Sequence, residues 1–210
     1  MKMQAKNMFS GVGEHYFTRK PKSKLEIKVI RAYLRGKCFQ FLTSSGVFSK
    51  GHVDLGTKVL VNHMILPEKG HVLDVGCGYG VIGIVAATLN PNLHVVMVDV
   101  NKRAVKLAKH NIKINGVSNI EVKCGNLYEP VKGMVFDCIL SNPPISAGLA
   151  TVKAIIAEAP KHMRCGATLQ IVVKSKIWGE RLRRIFEEAF GNSRILARES
   201  GYRVIVAEKT

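Results

Sequence analysis

No apolar run in this sequence approaches the roughly 20 residues needed to cross a bilayer. The longest are strand-length and broken by Gly, Asp or Lys. That excludes a membrane-spanning helix, and the leading MKMQAKNMF lacks the long apolar core of a signal peptide. The chain therefore reads as cytoplasmic, with no membrane partner. Cysteine is scarce: Cys38, Cys77, Cys124, Cys138 and Cys165 are odd in number and never form a CxxC pair. This argues against a disulfide framework and a zinc site, so no metal is expected and buried thiols are. The single tryptophan, Trp178, is assigned to packing. Internal repeats and low-complexity segments are absent. Carboxylates are also few, with 15 Asp and Glu against 32 Lys and Arg.

That imbalance leaves a formal charge of +17, and its placement is informative. Residues 1–50 hold 11 Lys or Arg against Glu14 and Glu26. More than half of the excess thus falls in under a quarter of the chain. Clustered cations attract a polyanion through phosphate neutralisation and counterion release, so nucleic acid is the expected partner. A membrane surface fits less well, because residues 22–37 mix apolar and basic side chains without a lipid-facing stripe of bulky aromatics. At 210 residues and 47% hydrophobic content the chain can bury one substantial core. A basic N-terminal extension, 1–38, and one main domain, 39–210, are expected.

From residue 71 strand-like and helix-like patterns alternate. HVLDVG (71–76), HVVMVDV (94–100), IEVKCG (120–125), VFDCILS (135–141) and ATLQIVV (167–173) read as strands. Between and after them, 81–89, 101–116, 148–159 and 178–190 read as helices, the second amphipathic through Val105, Leu107, Ala108, Ile112 and Ile114 with Gly116 as its stop. Such alternation implies a parallel sheet covered on both faces. Segments 193–200 and 202–209 are separated only by Gly201, too short for a parallel crossover, and must form an antiparallel hairpin. The expected fold is α/β and Rossmann-like, a seven-stranded, mostly parallel sheet with its last strand reversed. Residues 39–65 read as a short hairpin region followed by a helix beside the first core strand.

VLDVGCGYGVIG (72–83) is a strand, a glycine-dense turn and a helix start. Its frame GYGVIG matches the dinucleotide fingerprint GxGxxG, with Asp99 at about the distance of a ribose-binding acid. A pyrophosphate wants the helix N-terminus free of negative charge, whereas here Asp74 precedes the first glycine by two residues. An additional carboxylate suits a cation better. LDVGCGYG resembles the first signature of class I S-adenosylmethionine-dependent methyltransferases over Asp74, Gly76, Gly78 and Gly80. The resemblance implies that Asp74 orients the methionine amino end, that the glycines admit the cofactor past Cys77, and that Asp99, followed by Val100, accepts from the ribose hydroxyls. It also places Asn126 and Leu127, in CGNLY, near the adenine.

SNPPIS (141–146) ends the fourth strand of this series, so Asn142 is delivered to the same sheet edge as the glycine turn. The stretch resembles the (N/D)PP(Y/F) signature of methyltransferases that modify amide or exocyclic amino nitrogens. The resemblance makes Asn142, Pro143 and Pro144 the catalytic residues. An aryl amine is a poor nucleophile, and rigid acceptors that hold its N–H groups out of plane localise its lone pair. Where the family usually has an aromatic, this sequence has Ile145; Phe48 and Tyr79 are the other candidates to face the target.

HYFTRKPKSK (15–24), TSSGVFSKGHVDLGT (43–57), LDVGCGYGVIGI and SNPPISAG together resemble the bacterial small-subunit ribosomal RNA guanine-N2 methyltransferase C family and its single-domain relatives. That resemblance implies transfer of a methyl group to guanine N2 in ribosomal RNA, with Gly46, Val47 and Phe48 closing the cofactor site. Transfer RNA, a protein glutamine amide, a noncatalytic RNA-binding module on the same fold and a nicotinamide-dependent oxidoreductase stand as alternatives.

Overall fold

The computed structural model describes residues 26–47, 49, 51–143 and 148–210, the last of these without the side chains of 176–179. The packing role expected of Trp178 lies outside the described side chains. The main sheet has seven strands: β3 (Gly70–Val75), β4 (Leu93–Asp99), β5 (Ile120–Cys124), β6 (Phe136–Ser141), β7 (Met163–Lys174), β8 (Arg194–Glu199) and β9 (Tyr202–Glu208). Their order is β5-β4-β3-β6-β7-β9-β8. Strands β3 to β7 pair in parallel, while β9 runs antiparallel to both β7 and β8, as expected of so short a link, which is the two-residue turn Ser200–Gly201.

Because side chains alternate across a strand, each central strand feeds two cores. Val72 and Leu140 face one cluster with Phe41, Leu60 and Ile84, whereas Leu73 and Ile139 face the other with Ile155 and Phe186. Burial of each such side chain contributes about 1.5–3 kcal/mol relative to leaving it exposed. Helices α2 (Val81–Leu89) and α3 (Lys102–Ile114) cover the first face, and α4 (Gly148–Glu158) and α5 (Ser175–Phe190) cover the second. Helix α3 begins where Asn101 caps the amides of Arg103 and Ala104, and ends at Asn115 with Gly116 beyond it. Ile114, expected on its apolar face, is 42% exposed, because it falls in the last turn beyond the sheet's cover.

The N-terminal part differs from expectation. The hairpin is β1 (Ile27–Leu34) and β2 (Lys37–Ser44), joined by Arg35 and Gly36, both at positive φ. It starts upstream of 39–65 and lies partly in the stretch read as a basic extension. Its signal is obscured by Lys28, Arg31 and Lys37 and by an Arg-Gly turn in place of Asn-Gly. The second edge of β2 is finished by a helix: Asn111 exchanges hydrogen bonds with both backbone groups of Leu42, and Asn115 does the same with Gln40. Helix α1 (Leu55–His63) lies over β7 and β9 and against α2, rather than beside β3. Of the five thiols only Cys77 and Cys138 are buried; Cys38, Cys124 and Cys165 are exposed, which corrects the expectation drawn from apolar runs. Among the described residues no helix is long and apolar enough to cross a membrane, and no cluster of His, Cys, Asp and Glu could hold a metal.

Candidate functional site

The sheet order reverses between β3 and β6, its two adjacent central strands. From β3 the chain steps outward to β4 and β5, then returns to the other side as β6. Such a switch point opens a crevice outside the carboxyl ends of the strands. Gly76 follows β3 and Asn142 follows β6. Ser141 donates through Oγ to the Val75 carbonyl at 2.8 Å, which fastens the two strand ends together. Gly76, Cys77, Gly78, Asp99, Val100, Asn126, Leu127 and Asn142 line one cavity. The segments singled out from the sequence at 74–80, 99–100, 126–127 and 142 therefore converge.

The glycine turn is laced to the end of β4. The amides of Gly76 and Cys77 donate to the Val98 carbonyl, and that of Gly78 donates to Asp99 Oδ2 at 2.8 Å. Asp99 Oδ1 accepts from the Asn101 amide at 2.8 Å. Gly78 sits at φ +58, and a Cβ there would meet no protein atom within 4 Å, so its bare side faces open space. Gly83, by contrast, is required by packing: a Cβ would stand 2.5 Å from Met97 Cγ, so α2 could not approach β4. Gly80 begins α2 at φ +97 and does not line the cavity.

Asp74 is fully buried beneath this turn. Its Oδ2 accepts from the Gly83 amide at 3.0 Å, capping a helix whose own N-cap residue, Gly80, has no side chain to do so. Oδ1 has no partner. Burial raises this carboxyl to about 7, with the Asp99 charge adding to the shift and the Gly83 amide opposing it. Between its ordinary 3.8 and about 7 the folded protein keeps a proton that the unfolded chain has released. Stability therefore falls as pH rises through that window, by on the order of a few kcal/mol. Thermal melts of the ligand-free protein are expected to decline more steeply from pH 5 to pH 8 than those of Asp74→Asn. Parallel curves would refute the assignment.

Asn142 is held by residues that sequence reasoning did not select. Its Nδ2 donates to Asp54 Oδ2 at 2.9 Å and to Thr57 Oγ1 at 2.8 Å. Asp54 caps α1 through the Thr57 amide at 3.0 Å, so one carboxylate oxygen fixes both the helix start and the amide. Gly56 allows this placement, since a Cβ there would come within 2.8 Å of Tyr202 on β9. With both N–H groups turned toward α1, the amide oxygen is left as the free acceptor; among the described residues none donates to it. A D-x-x-T pattern ahead of an apolar helix is the one local signal that pointed here, and it reads only as a cap.

Pro143 is buried beside a smaller apolar cavity lined by Val172, Leu182 and Tyr202. Pro144, Ile145 and Phe48 lie outside the described residues. Val47 lines the main cavity, and the loop before it is clasped by Asn101 Nδ2 on the Gly46 carbonyl and by an Arg103 guanidinium N–H on that of Ser45. Tyr79 packs edge-on against Phe41 in the core and is 4% exposed, so although it lines part of the cavity it is a wall residue of the cofactor turn rather than an open platform. Burial and the charges of Asp99 and Asp74 push the Cys77 thiol up, which leaves it inert as a nucleophile.

Among the described residues, the charged groups that line the cavity are Asp54 and Asp99, and no Lys, Arg or His joins them. A pyrophosphate would meet two carboxylates and a helix start already capped by Asp74, so a dinucleotide does not fit. A ligand carrying a sulfonium and an ammonium group fits: the Asp54 and Asp99 carboxylates line the cavity, the glycine turn leaves room at Gly78, and Asp74, buried beneath that turn with Oδ1 unpartnered, is a carboxyl that a nearby cation would help to ionise.

The family model described as methyltransferase small domain matches residues 38–206. Over 200 residues the chain is 37% identical to the protein YbxB of Bacillus subtilis (strain 168), covering 94% of this chain and 100% of that one. It is 35% identical over 171 residues to ribosomal RNA small subunit methyltransferase C of Aeromonas hydrophila, covering 80% of this chain and 48% of that protein. The chain thus spans about half the length of those methyltransferase C relatives. Among solved structures, the T. thermophilus 16S rRNA N2 G1207 methyltransferase in complex with AdoMet and guanosine superposes with a TM-score of 0.80 at 26% identity, over 90% of this chain and 52% of that one.

Proposed function

This chain belongs to the methyltransferase small domain family, and from that premise we propose that it methylates an exocyclic amino group of RNA in the cytoplasm, with guanine N2 of ribosomal RNA as its target. The family's cofactor, S-adenosyl-L-methionine, supplies when bound an electrophilic methyl group on a sulfonium sulfur. Asp99 holds the ribose hydroxyls, Asn126 meets the adenine, and Cys77, Val100 and Leu127 form the walls around it. Asp74, beneath Gly76, Gly78 and Gly80, attracts the methionine ammonium group.

Asn142 accepts a hydrogen bond from the target amine through its side-chain oxygen and holds that N–H out of the ring plane. The nitrogen lone pair then leaves conjugation and points along the line of attack. Pro143 and Pro144 fix the backbone, so that the Pro143 carbonyl supplies a second acceptor with little reorganisation. The amine held at Asn142 and Pro143 would give its proton to water, while the cofactor, having supplied the methyl group, would keep the carbon–sulfur electron pair and leave as a neutral thioether. No strong base is required. Asp54 stays committed to Thr57 and Asn142. Phe48 and Ile145, outside the described residues, are the candidates to face the base, and the basic stretch 1–38 gathers the RNA for the catalytic part, 39–210.

One observation carries this reading: the glycine turn and an asparagine whose amide N–H groups are both turned away meet at a single cavity that, among the described residues, is lined by carboxylates and by no cation. The test is transfer of labelled methyl groups to total cellular RNA, followed by nucleoside mass spectrometry. N2-methylguanosine is the expected product. Label confined to protein would move the substrate to a glutamine amide. Failure to bind the cofactor in calorimetry would leave a noncatalytic module.

A further inference from the structure

The β1–β2 hairpin carries a face that the proposed chemistry does not use. Ile27, Val29, Arg31 and Tyr33 alternate along β1 and so share one side of it. Ile27 and Val29 are each 55% exposed and Tyr33 is 72% exposed, and Arg31 is exposed among them. At about 3.3 Å per residue this row is roughly 20 Å long. Residues 27–44 contain Lys28, Arg31, Arg35 and Lys37 and no carboxylate. Arg35 and Lys37 are tied to the carbonyls of Asn62 and Thr88, whereas Lys28 and Arg31 make no ion pair or hydrogen bond among the described residues. Cations alone would serve to blunt an edge strand against aggregation. An exposed tyrosine and two exposed aliphatics in the same row have no such use, and together they make an apolar strip edged with positive charge.

The strip leads to the cavity. Glu26 and Ser45 are hydrogen-bonded to each other where β1 starts and β2 has just ended, and Val47, two residues on, lines the cavity. The Asn101 and Arg103 clasps hold that junction, so strip and cavity keep one register.

We infer that this face is a docking track for single-stranded RNA, with a base stacked on Tyr33, a phosphate on Arg31, and the strand running past Ile27 into the cavity. Flat rings bind any base through its π face, and guanidinium groups pair with phosphate, so the composition of the row matches unpaired RNA. The inference rests on the RNA reading above and identifies the part of the chain that would capture the substrate.

The full chain and its Tyr33→Ala and Arg31→Ala variants, singly and combined, are titrated with a fluorescent random-sequence RNA of about 12 nucleotides, within the usual span of single-strand sites. The double variant is expected to bind at least about tenfold more weakly, and Arg31→Ala to lower the salt slope by about 0.7. Calorimetric affinity for S-adenosyl-L-methionine and the circular dichroism spectrum should not change, since both side chains are exposed. Hydroxyl-radical footprinting should protect Tyr33 only when RNA is added. RNA affinity within twofold of the parent overturns the inference. So does protection of Tyr33 without RNA, which means that a second copy or the chain's own residues 1–25 cover the face; sedimentation separates those two. A parent protein that methylates RNA while the double variant binds and methylates equally well sinks the track alone. RNA binding through this face with no methyl transfer to any RNA sinks the enzymatic reading and keeps the track.

Discussion

The Asn142→Ala protein is expected to bind S-adenosyl-L-methionine as well as the parent does and to transfer methyl groups about 10²–10³ times more slowly, the usual cost of removing one preorganised polar contact to a reacting group. The loss should fall on kcat, because the amide oxygen acts where the target nitrogen rehybridises and not where the cofactor is held. Radiolabel transfer at saturating cofactor measures it, and undiminished turnover would remove Asn142 from the mechanism. The neighbours of Asn142 sharpen the test. Asp54→Ala frees one amide N–H and removes the cap of α1, so the amide can rotate and the rate should fall roughly tenfold, with about 1 kcal/mol of stability lost with the cap. Asn142→Asp keeps an acceptor but places a second carboxylate against Asp54 at the 2.9 Å contact. Two such groups resist joint ionisation. Activity of that variant should be low at neutral pH and recover in part on acidification, a response that a purely structural role for Asn142 would not produce.

Asp99→Ala is expected to weaken cofactor binding about 100-fold. An ionised carboxylate has about four acceptor positions. Two of those on Asp99 are taken by the amides of Gly78 and Asn101, which leaves two for the ribose hydroxyls. Hydrogen bonds to a charged group contribute about 1.5–3 kcal/mol each, so even at the lower end the loss of two is worth about 3 kcal/mol, or roughly two decades in Kd. The same substitution unfastens the glycine turn from the end of β4, which adds to the loss. Asp99→Asn keeps one oxygen and should fall between. Calorimetry decides, and a Kd within threefold of the parent would show that the ribose is held elsewhere.

The legible parts of this protein are those encoded locally. Apolar runs at strand length, the period of α3 and the lone glycine at 201 specify the alternation and the reversed last strand without reference to distant residues. The hairpin at 27–44 was harder to read because its outward row is aliphatic and aromatic, mixed with cations, so that polar and apolar positions do not separate into two faces. Cys124 misled for a related reason: an apolar stretch says that a strand exists but not where its end emerges from the sheet's cover.

By itself the sequence determined that a glycine turn and an Asn-Pro-Pro segment would each follow a strand at the same edge of a parallel sheet, since strand direction and chain order suffice for that. Only the tertiary structure decided which face of Asn142 is free, because the groups that orient it, Asp54 and Thr57, lie 88 and 85 residues away. It likewise decided that Asp74 would lie under the turn and hold its proton near neutrality, for desolvation is a property of the packed surroundings and not of neighbours along the chain.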